Sequence, residues 1–487
     1  MKSRTLILAI AMTLFAALTL PVQLAAQHTR YKLIDFGPSG IAIPGRPSNN
    51  RGTVVFGACG DPDCAVFHSF KWRNGVLTDL GALPGNNSSG PIWISDSELI
   101  LANGSNGAID PLTGTPEQRG VFFTKDGQVI DIGTLDGGNE SFGLAVNNRG
   151  EVVGVASDSI PDPFSLFGFG TETRAILWQK GVMQDLGTLG GPDAIANLVN
   201  ERGQVAGNSF INSTPNTITG VPTSDPFLWE NGTMLDLGTL GGTFGIANWL
   251  NNRGQVVGQS NLVGDLTWHP FLWERGELKD LGTLGGDDGL AMWLNDAGEV
   301  VGEADLPGSA VQHAFLWRNG VMTDLGSLGT DSAAFSINSK GQVVGAYFRI
   351  GVTMPPFRHS FLWENSGPMI DLNTLIPANS SLELVEADDI NDRGEIVGVG
   401  VPAGVHCFPD FCGHGFVLIP CNGGDAERCE DNAVDQSAVT QNNATLITHG
   451  LTILTQGRPT PSAIVAAWRA RLAQRYHIRG LGVSPRD

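Results

Sequence analysis

An all-β fold, an eight-bladed β-propeller of four-stranded antiparallel blades closed by its N-terminal strand, is predicted from three observations. One segment returns throughout the chain, its copies are punctuated by tight-turn sequences, and the first and last copies are complementary fragments. HAFLWRNGVMTDLGSLGT, from His313, returns as HPFLWERGELKDLGTLGG from His269 and as HSFLWENSGPMIDLNTLI from His359.

Eight Asp-Leu-Gly-like corners mark the repeats, at Asp35, Asp79, Asp131, Asp185, Asp236, Asp280, Asp324 and Asp371, spaced 44 to 54 residues apart. That period accommodates four strands per unit. In IANWLNNRGQVVGQS (Ile246 to Ser260) an apolar strand meets a turn at Asn251–Gly254 and a second strand follows. HPFLWERGELKDLG is a further hairpin turning at Glu274–Gly276. Asn-x-x-Gly and Asn-Gly turns supply the positive φ angles that tight hairpins require. FLW and VVG are continuously apolar, as expected of strands covered on both faces. A linear solenoid needs capping repeats at its ends. Here the chain opens with YKLIDFG (Tyr31 to Gly37), a fourth strand alone, and the repeats finish at HGFVLIP (His414 to Pro420), a third strand with no fourth. Together they complete one blade.

Three regions follow. Residues 1–26 carry Lys2 and Arg4, an apolar run from Leu6 to Leu20, and small residues at Ala25 and Ala26. This pattern predicts a signal peptide cleaved near Ala26 and a secreted or periplasmic product. Residues 27–420 hold the propeller. Residues 421–487 read as a tail, with a helix starting at Thr460–Pro461 and Ile464, Trp468 and Leu472 on one face. Six arginines and one acid occupy Gly457 to Asp487, which suits docking onto the acidic propeller, a partner or an anionic surface.

HAFLW, DLGTLGG and the INxxGQVVG pattern resemble the HAF-type extracellular repeat over roughly Tyr31 to Pro420. The closing HGFVLIPC, followed by a Gln/Asn-rich stretch, is also similar to the end of such proteins. The resemblance implies an exported bacterial β-propeller with no agreed activity. In the second repeat Ile94-Ser95-Asp96 replaces the usual Asn turn.

A net charge of −20 argues against a nucleic-acid partner. No second apolar span follows residue 26, so no transmembrane segment is expected in the mature chain, and a monomer is expected. Six cysteines in an oxidising compartment favour disulfides. The candidates are Cys59, Cys64, Cys407, Cys412, Cys421 and Cys429, with local pairing preferred. Zinc at His406 and His414 is the competing interpretation.

Histidines recur at one repeat position (His68, His269, His313, His359, His414) and tryptophans at another (Trp72, Trp178, Trp229, Trp273, Trp317, Trp363). A catalytic residue need appear once, whereas a packing residue must appear in every blade. Both columns therefore read as structural. No GxSxG elbow, HExxH motif or phosphate-cradling loop is present, so no catalytic residue is assigned. Trp93, Trp249 and Trp293 recur on the innermost strand, where packing is favoured over sugar stacking. The loops between second and third strands vary most, and variation on a rigid frame is how scaffolds present binding surfaces.

On that face Glu140, Asp193, Asp288 and Asp331 fall at equivalent positions, with Phe244 in the fifth repeat. These five are the ligand-binding candidates at the mouth of a central channel, for a cation such as calcium or a basic ligand. Ordinary strand starts are the competing interpretation, and no other cofactor is implied. The expected function is an exported non-catalytic binding or structural scaffold presenting variable loops to a protein or glycan ligand. The alternative is an extracellular hydrolase or lyase using channel-mouth carboxylates.

Overall fold

The computed structural model describes residues 29–37, 45–60, 66–85, 88–162 and 165–421. The proposed signal peptide and the basic C-terminal helix lie outside the described residues. The described chain is all-β, with strands running from β1 (Tyr31–Asp35) to β31 (His414–Pro420) and short helical turns at Leu372–Thr374 and Pro409–Cys412.

The sixth repeat shows how each unit forms. Its strands, β21 (Gly289–Leu294), β22 (Val300–Asp305), β23 (Gln312–Arg318) and β24 (Val321–Asp324), pair in sequence order as an antiparallel meander. The first turn is held by the Asn295 side chain, whose Oδ1 accepts from the backbone N–H groups of Ala297 and Glu299, both at 3.0 Å. The last turn places Asn319 and Gly320 at φ 51° and 86°, the two left-handed residues of a type I′ hairpin. A β-bulge lies between Ala291 and Trp293. It drives the Leu290 carbonyl toward Gly302, where a Cβ would collide with it. That contact explains the glycine of VVG.

Burial follows the apolar runs. Val300 and Val301, successive residues on opposite sheet faces, are both fully buried. The phenylalanines of five HAFLW-like runs (Phe227, Phe271, Phe315, Phe361, Phe416) are also fully buried, and the recurrent tryptophans are nearly so.

Among the described residues seven sheets result, five of them four-stranded; one has three strands, and one has eight because two neighbouring units join. The joining pair is a parallel bridge between Ser224 on β15 (Ser224–Glu230) and Phe244 on β17 (Gly241–Leu250). The first strand, β1, pairs antiparallel with β31, Tyr31 opposite Pro420 and Asp35 opposite Phe416. The sheet order there is β1, β31, β30 (Ile396–Pro402), β29 (Leu382–Ile390).

Units are tied by the turn asparagines. The side-chain amide of Asn147 donates to the Asn200 carbonyl, Asn200 to Asn251, Asn251 to Asn295, Asn295 to Asn338, and Asn338 to Asn391, at 2.9 to 3.1 Å. Asn391 donates to the carbonyl of Asn49, and Asn49 to that of Ser95. In the second repeat the Ser97 hydroxyl donates to the Asn148 carbonyl, so a serine does the missing asparagine's work. Trp93 stacks on Trp249 with ring centroids 5.5 Å apart, and Trp249 on Trp293 at 3.3 Å. The innermost strands of the second, fifth and sixth repeats therefore meet through their tryptophans.

Candidate functional site

Each third strand begins, and each fourth strand ends, on the side of the molecule carrying the variable loops. The recurrent histidine starts the third strand and the corner aspartate ends the fourth, so the hairpin register brings the two together. His68 Nδ1 lies 3.0 Å from Asp79, and His269 and His313 lie 2.9 Å from Asp280 and Asp324. His414 meets Asp35 at 2.8 Å across the β1–β31 pairing. In two repeats that lack the histidine, Arg119 faces Asp131 and Arg174 faces Asp185. The histidine column thus pairs with carboxylate side chains.

The acidic column also has a definite task. The Glu140 carboxylate accepts from the backbone N–H of Gln118 at 2.7 Å, and Asp193 from Leu166 and Thr173 at 2.8 and 2.7 Å. Asp288 accepts from Trp268 at 3.0 Å and Asp331 from Gln312 at 2.9 Å. Every donor belongs to the preceding unit, so each acid clasps two units together. Phe244 has no acid to offer, and its backbone bridges directly to Ser224 instead. Burial pushes Glu140 and Asp193 up to about 7, and Asp288 up to about 6, against the backbone hydrogen bonds that favour their charged forms. No hydrogen bond joins any two of these acids among the described residues. Asp305 lies electrostatically between Asp288 and Asp331, raised by the latter and raising the former.

The column has another member. On β29 two register shifts, at Leu384/Glu386 and Ala387/Asp389, replace the single bulge of β25 (Ser332–Ile337). Aligning the pairs Ala334–Gly345 and Ala387–Gly398 places Glu383 at the position of Asp331. The extra bulge residue hides it from a count along the sequence. Glu383 does not clasp backbone: its Oε1 lies 2.6 Å from His359 Nε2 and accepts from Arg349 at 2.8 Å.

His359 is thus held at both ring nitrogens, Nδ1 lying 2.9 Å from Asp371. The Tyr347 hydroxyl donates to Asp371 at 3.0 Å. Burial alone would lower the His359 pKa, but hydrogen bonds to Asp371 and Glu383 reverse this and hold it above the ordinary value. The same contact, against burial, holds Asp371 below its ordinary value. Burial and the Asp371 carboxylate push the Tyr347 phenol up. Five ionisable side chains therefore converge where a histidine corner and an acid of the next unit meet. An imidazolium between two carboxylates can donate a proton at one nitrogen while the other stays paired.

The loops beside this cluster touch. Phe357 packs edge-on to Phe408 at 5.8 Å, and His406 Nδ1 lies 3.2 Å from the Pro355 carbonyl. Phe348, Ile350, Met354, Val405 and Phe408 leave apolar surface exposed there. A disulfide joins Cys407 and Cys412, with Cα atoms 6.4 Å apart. Cys59 and Cys421 are also disulfide-bonded, while Cys64 and Cys429 lie outside the described residues. Two surface grooves of about 270 and 630 Å³ lie away from the cluster, one beside Lys340 and Arg393, the other beside Asp136, Asp158 and Asp185. Neither brings a histidine to a carboxylate. Among the described residues no three His, Cys, Asp or Glu side chains form a metal cluster, and no helix is long and apolar enough to cross a membrane.

No family model matches the chain, and no curated protein matches it. The chain is similar to the β-propeller domain of the Trilobed protease from Pyrococcus furiosus at 13% identity and TM-score 0.37, covering 57% of this chain and 80% of that one. It is similar to a Mycobacterium tuberculosis puromycin-hydrolyzing peptidase at 14% identity and TM-score 0.42, covering 76% and 63%. It is also similar to Porphyromonas gingivalis dipeptidyl peptidase 4 at 9% identity and TM-score 0.45, covering 76% and 57%. The chain thus spans less than two thirds of the last two. These are peptidases and a protease domain, not binding scaffolds, and on this finding the expectation of a non-catalytic scaffold and no enzyme is corrected. Their peptidase activity is a property of those proteins; at these identities it does not transfer to this chain.

Proposed function

We propose that the chain is an exported hydrolase whose acid–base machinery is the His359, Asp371 and Glu383 cluster, set on a closed eight-bladed propeller of HAF-type repeats. The closed ring is supported by the β1–β31 pairing and by the asparagine link from the last repeat back to Asn49. A signal peptide, local disulfides and a monomer belong to the same proposal.

One observation carries the hydrolase assignment. Of the five repeat histidines, His359 is the one whose second nitrogen is seen engaged by a carboxylate among the described residues, through an acid whose counterparts Glu140, Asp193, Asp288 and Asp331 are spent on backbone. In hydrolysis Glu383 takes a proton from the attacking water while His359 Nε2 gives one to the leaving group. The bond between them then returns the proton from Glu383 to His359, resetting both. Asp371 and Tyr347 hold the imidazole, and Arg349 holds Glu383. The acidic column is not this machinery, because its carboxylates are occupied as clasps. The exposed apolar rim supplies surface for the rest of the substrate.

A panel of chromogenic glycosides, esters and peptide anilides tests this with purified residues 27–487. Turnover by the wild type, lost in His359→Asn and kept in His313→Asn, is expected. Absence of turnover on all three classes, or equal loss in both variants, would overturn it.

A further inference from the structure

Seven of the eight corner aspartates face a cationic or cationisable side chain: five a histidine and two an arginine. The eighth, Asp236, does not. The residue in the histidine position of its repeat is Asp225, eleven residues upstream, as His269 is upstream of Asp280. The register is unchanged, Phe227 standing opposite Asp236 as Phe271 stands opposite Asp280. Two carboxyl groups therefore meet where every other repeat joins a carboxylate to a base.

We infer that the Asp225–Asp236 pair is a binding site for a hard divalent cation, which takes the place of the missing histidine or arginine.

Three features support a cation there. Asp225 is 8% exposed, and its Oδ1 is buried with no protein group donating to it. An orphaned carboxylate oxygen at that depth needs a positive partner. Asp236 is exposed, so the outer half of a coordination sphere is open to water, as hard cations held by two carboxylates require. The donors are all oxygen, which suits calcium or magnesium and not zinc or copper. Without a cation the two carboxyl groups can meet only by sharing a proton. The same junction departs in the second column too, since Phe244 replaces the acid of the next repeat.

The test is calorimetric titration of the purified chain with calcium chloride, and separately magnesium chloride, at pH 8. Wild type is compared with Asp225→Asn and Asp225→His. The histidine variant restores the pattern of five other repeats and is expected to fold. One equivalent of bound cation should disappear in both variants. Saturating cation should raise the wild-type thermal midpoint by about 2 °C and leave that of Asp225→His unmoved. Equal stoichiometry in all three chains with either metal would overturn the site. So would a midpoint that ignores both metals and rises only as pH falls, which would show a shared proton instead.

Discussion

The side-chain amide of Asn391 donates to the backbone carbonyl of Asn49, 2.9 Å away and 342 residues earlier in the chain. The same side chain caps its own turn, accepting from the N–H groups of Arg393 and Glu395 at 3.0 Å. Local geometry and the contact between distant repeats thus depend on one buried amide. Asn391→Ala should cost about 1–3 kcal/mol, since it orphans a buried carbonyl and two turn donors. If the ring is closed, Asn295→Ala in the middle of the chain should cost the same within about 0.5 kcal/mol. Chemical denaturation of both variants measures the difference, and a much smaller loss for Asn391→Ala would mean that the ends are not tied.

Removing residues up to Gly37 is a sharper probe of the same seam. It strips β31 of its partner and leaves Phe416, Val417 and Leu418, all now buried, beside a bare strand edge. A lowered thermal midpoint and concentration-dependent association are expected by light scattering. A truncated chain as stable and as monodisperse as the full one would show that β1 contributes nothing.

Much of this architecture was legible in the residues because a period is a local signal. Asn-x-x-Gly, VVG and HAFLW each state a turn, a close approach or a buried ring, and repetition makes the statement redundant. Contacts between repeats were not legible. Nothing in IANWL shows that Trp249 stacks on Trp93, because that depends on which inner strands meet. The acidic column was legible as a column but not as a set of clasps, since its donors are backbone N–H groups that sequence does not distinguish. Glu383 escaped because an extra β-bulge shifts it by one position, which the glycine shared by Val344-Gly345 and Val397-Gly398 reveals only once pairing is known. Asp225 was visible in the sequence as a break in the histidine column, yet a break has meaning only after every other member has been seen to face a carboxylate.

The pH dependence of stability should carry the imprint of the clasps. Glu140 and Asp193 are raised to about 7 and Asp288 to about 6 in the folded chain, above ordinary carboxylates. The folded state therefore binds more protons than the unfolded state between about pH 4 and pH 7. Their contribution makes stability rise as pH falls through that window, and Asp193→Asn should flatten the rise. At lower pH the sign reverses, because Asp35, Asp280 and Asp371 are held below their ordinary values and lose their histidine partnership on protonation. Thermal midpoints from pH 3 to pH 8 measure both limbs. A steady fall in stability from pH 7 to pH 4 would contradict the assignment.

Packing predicts a simpler contrast. Phe315 is fully buried between sheets, whereas Val321, six residues on, is exposed. Phe315→Ala should cost about 3–5 kcal/mol and Val321→Ala less than about 0.5 kcal/mol. Denaturant midpoints separate the two, and comparable losses would mean that the HAFLW phenylalanine is not the keystone of its unit.

The most direct measurement on the proposed hydrolase activity is kcat for Glu383→Gln beside wild type, on whichever substrate class the wild type turns over. Gln keeps the shape and can still accept from Arg349, but it cannot take a proton from water. A fall in kcat of about 10²–10⁴-fold with KM nearly unchanged is expected, together with an unchanged thermal midpoint. A variant that turns over at the wild-type rate, or one that loses rate only because it unfolds, would contradict the assignment of Glu383 and His359 as the acid–base pair.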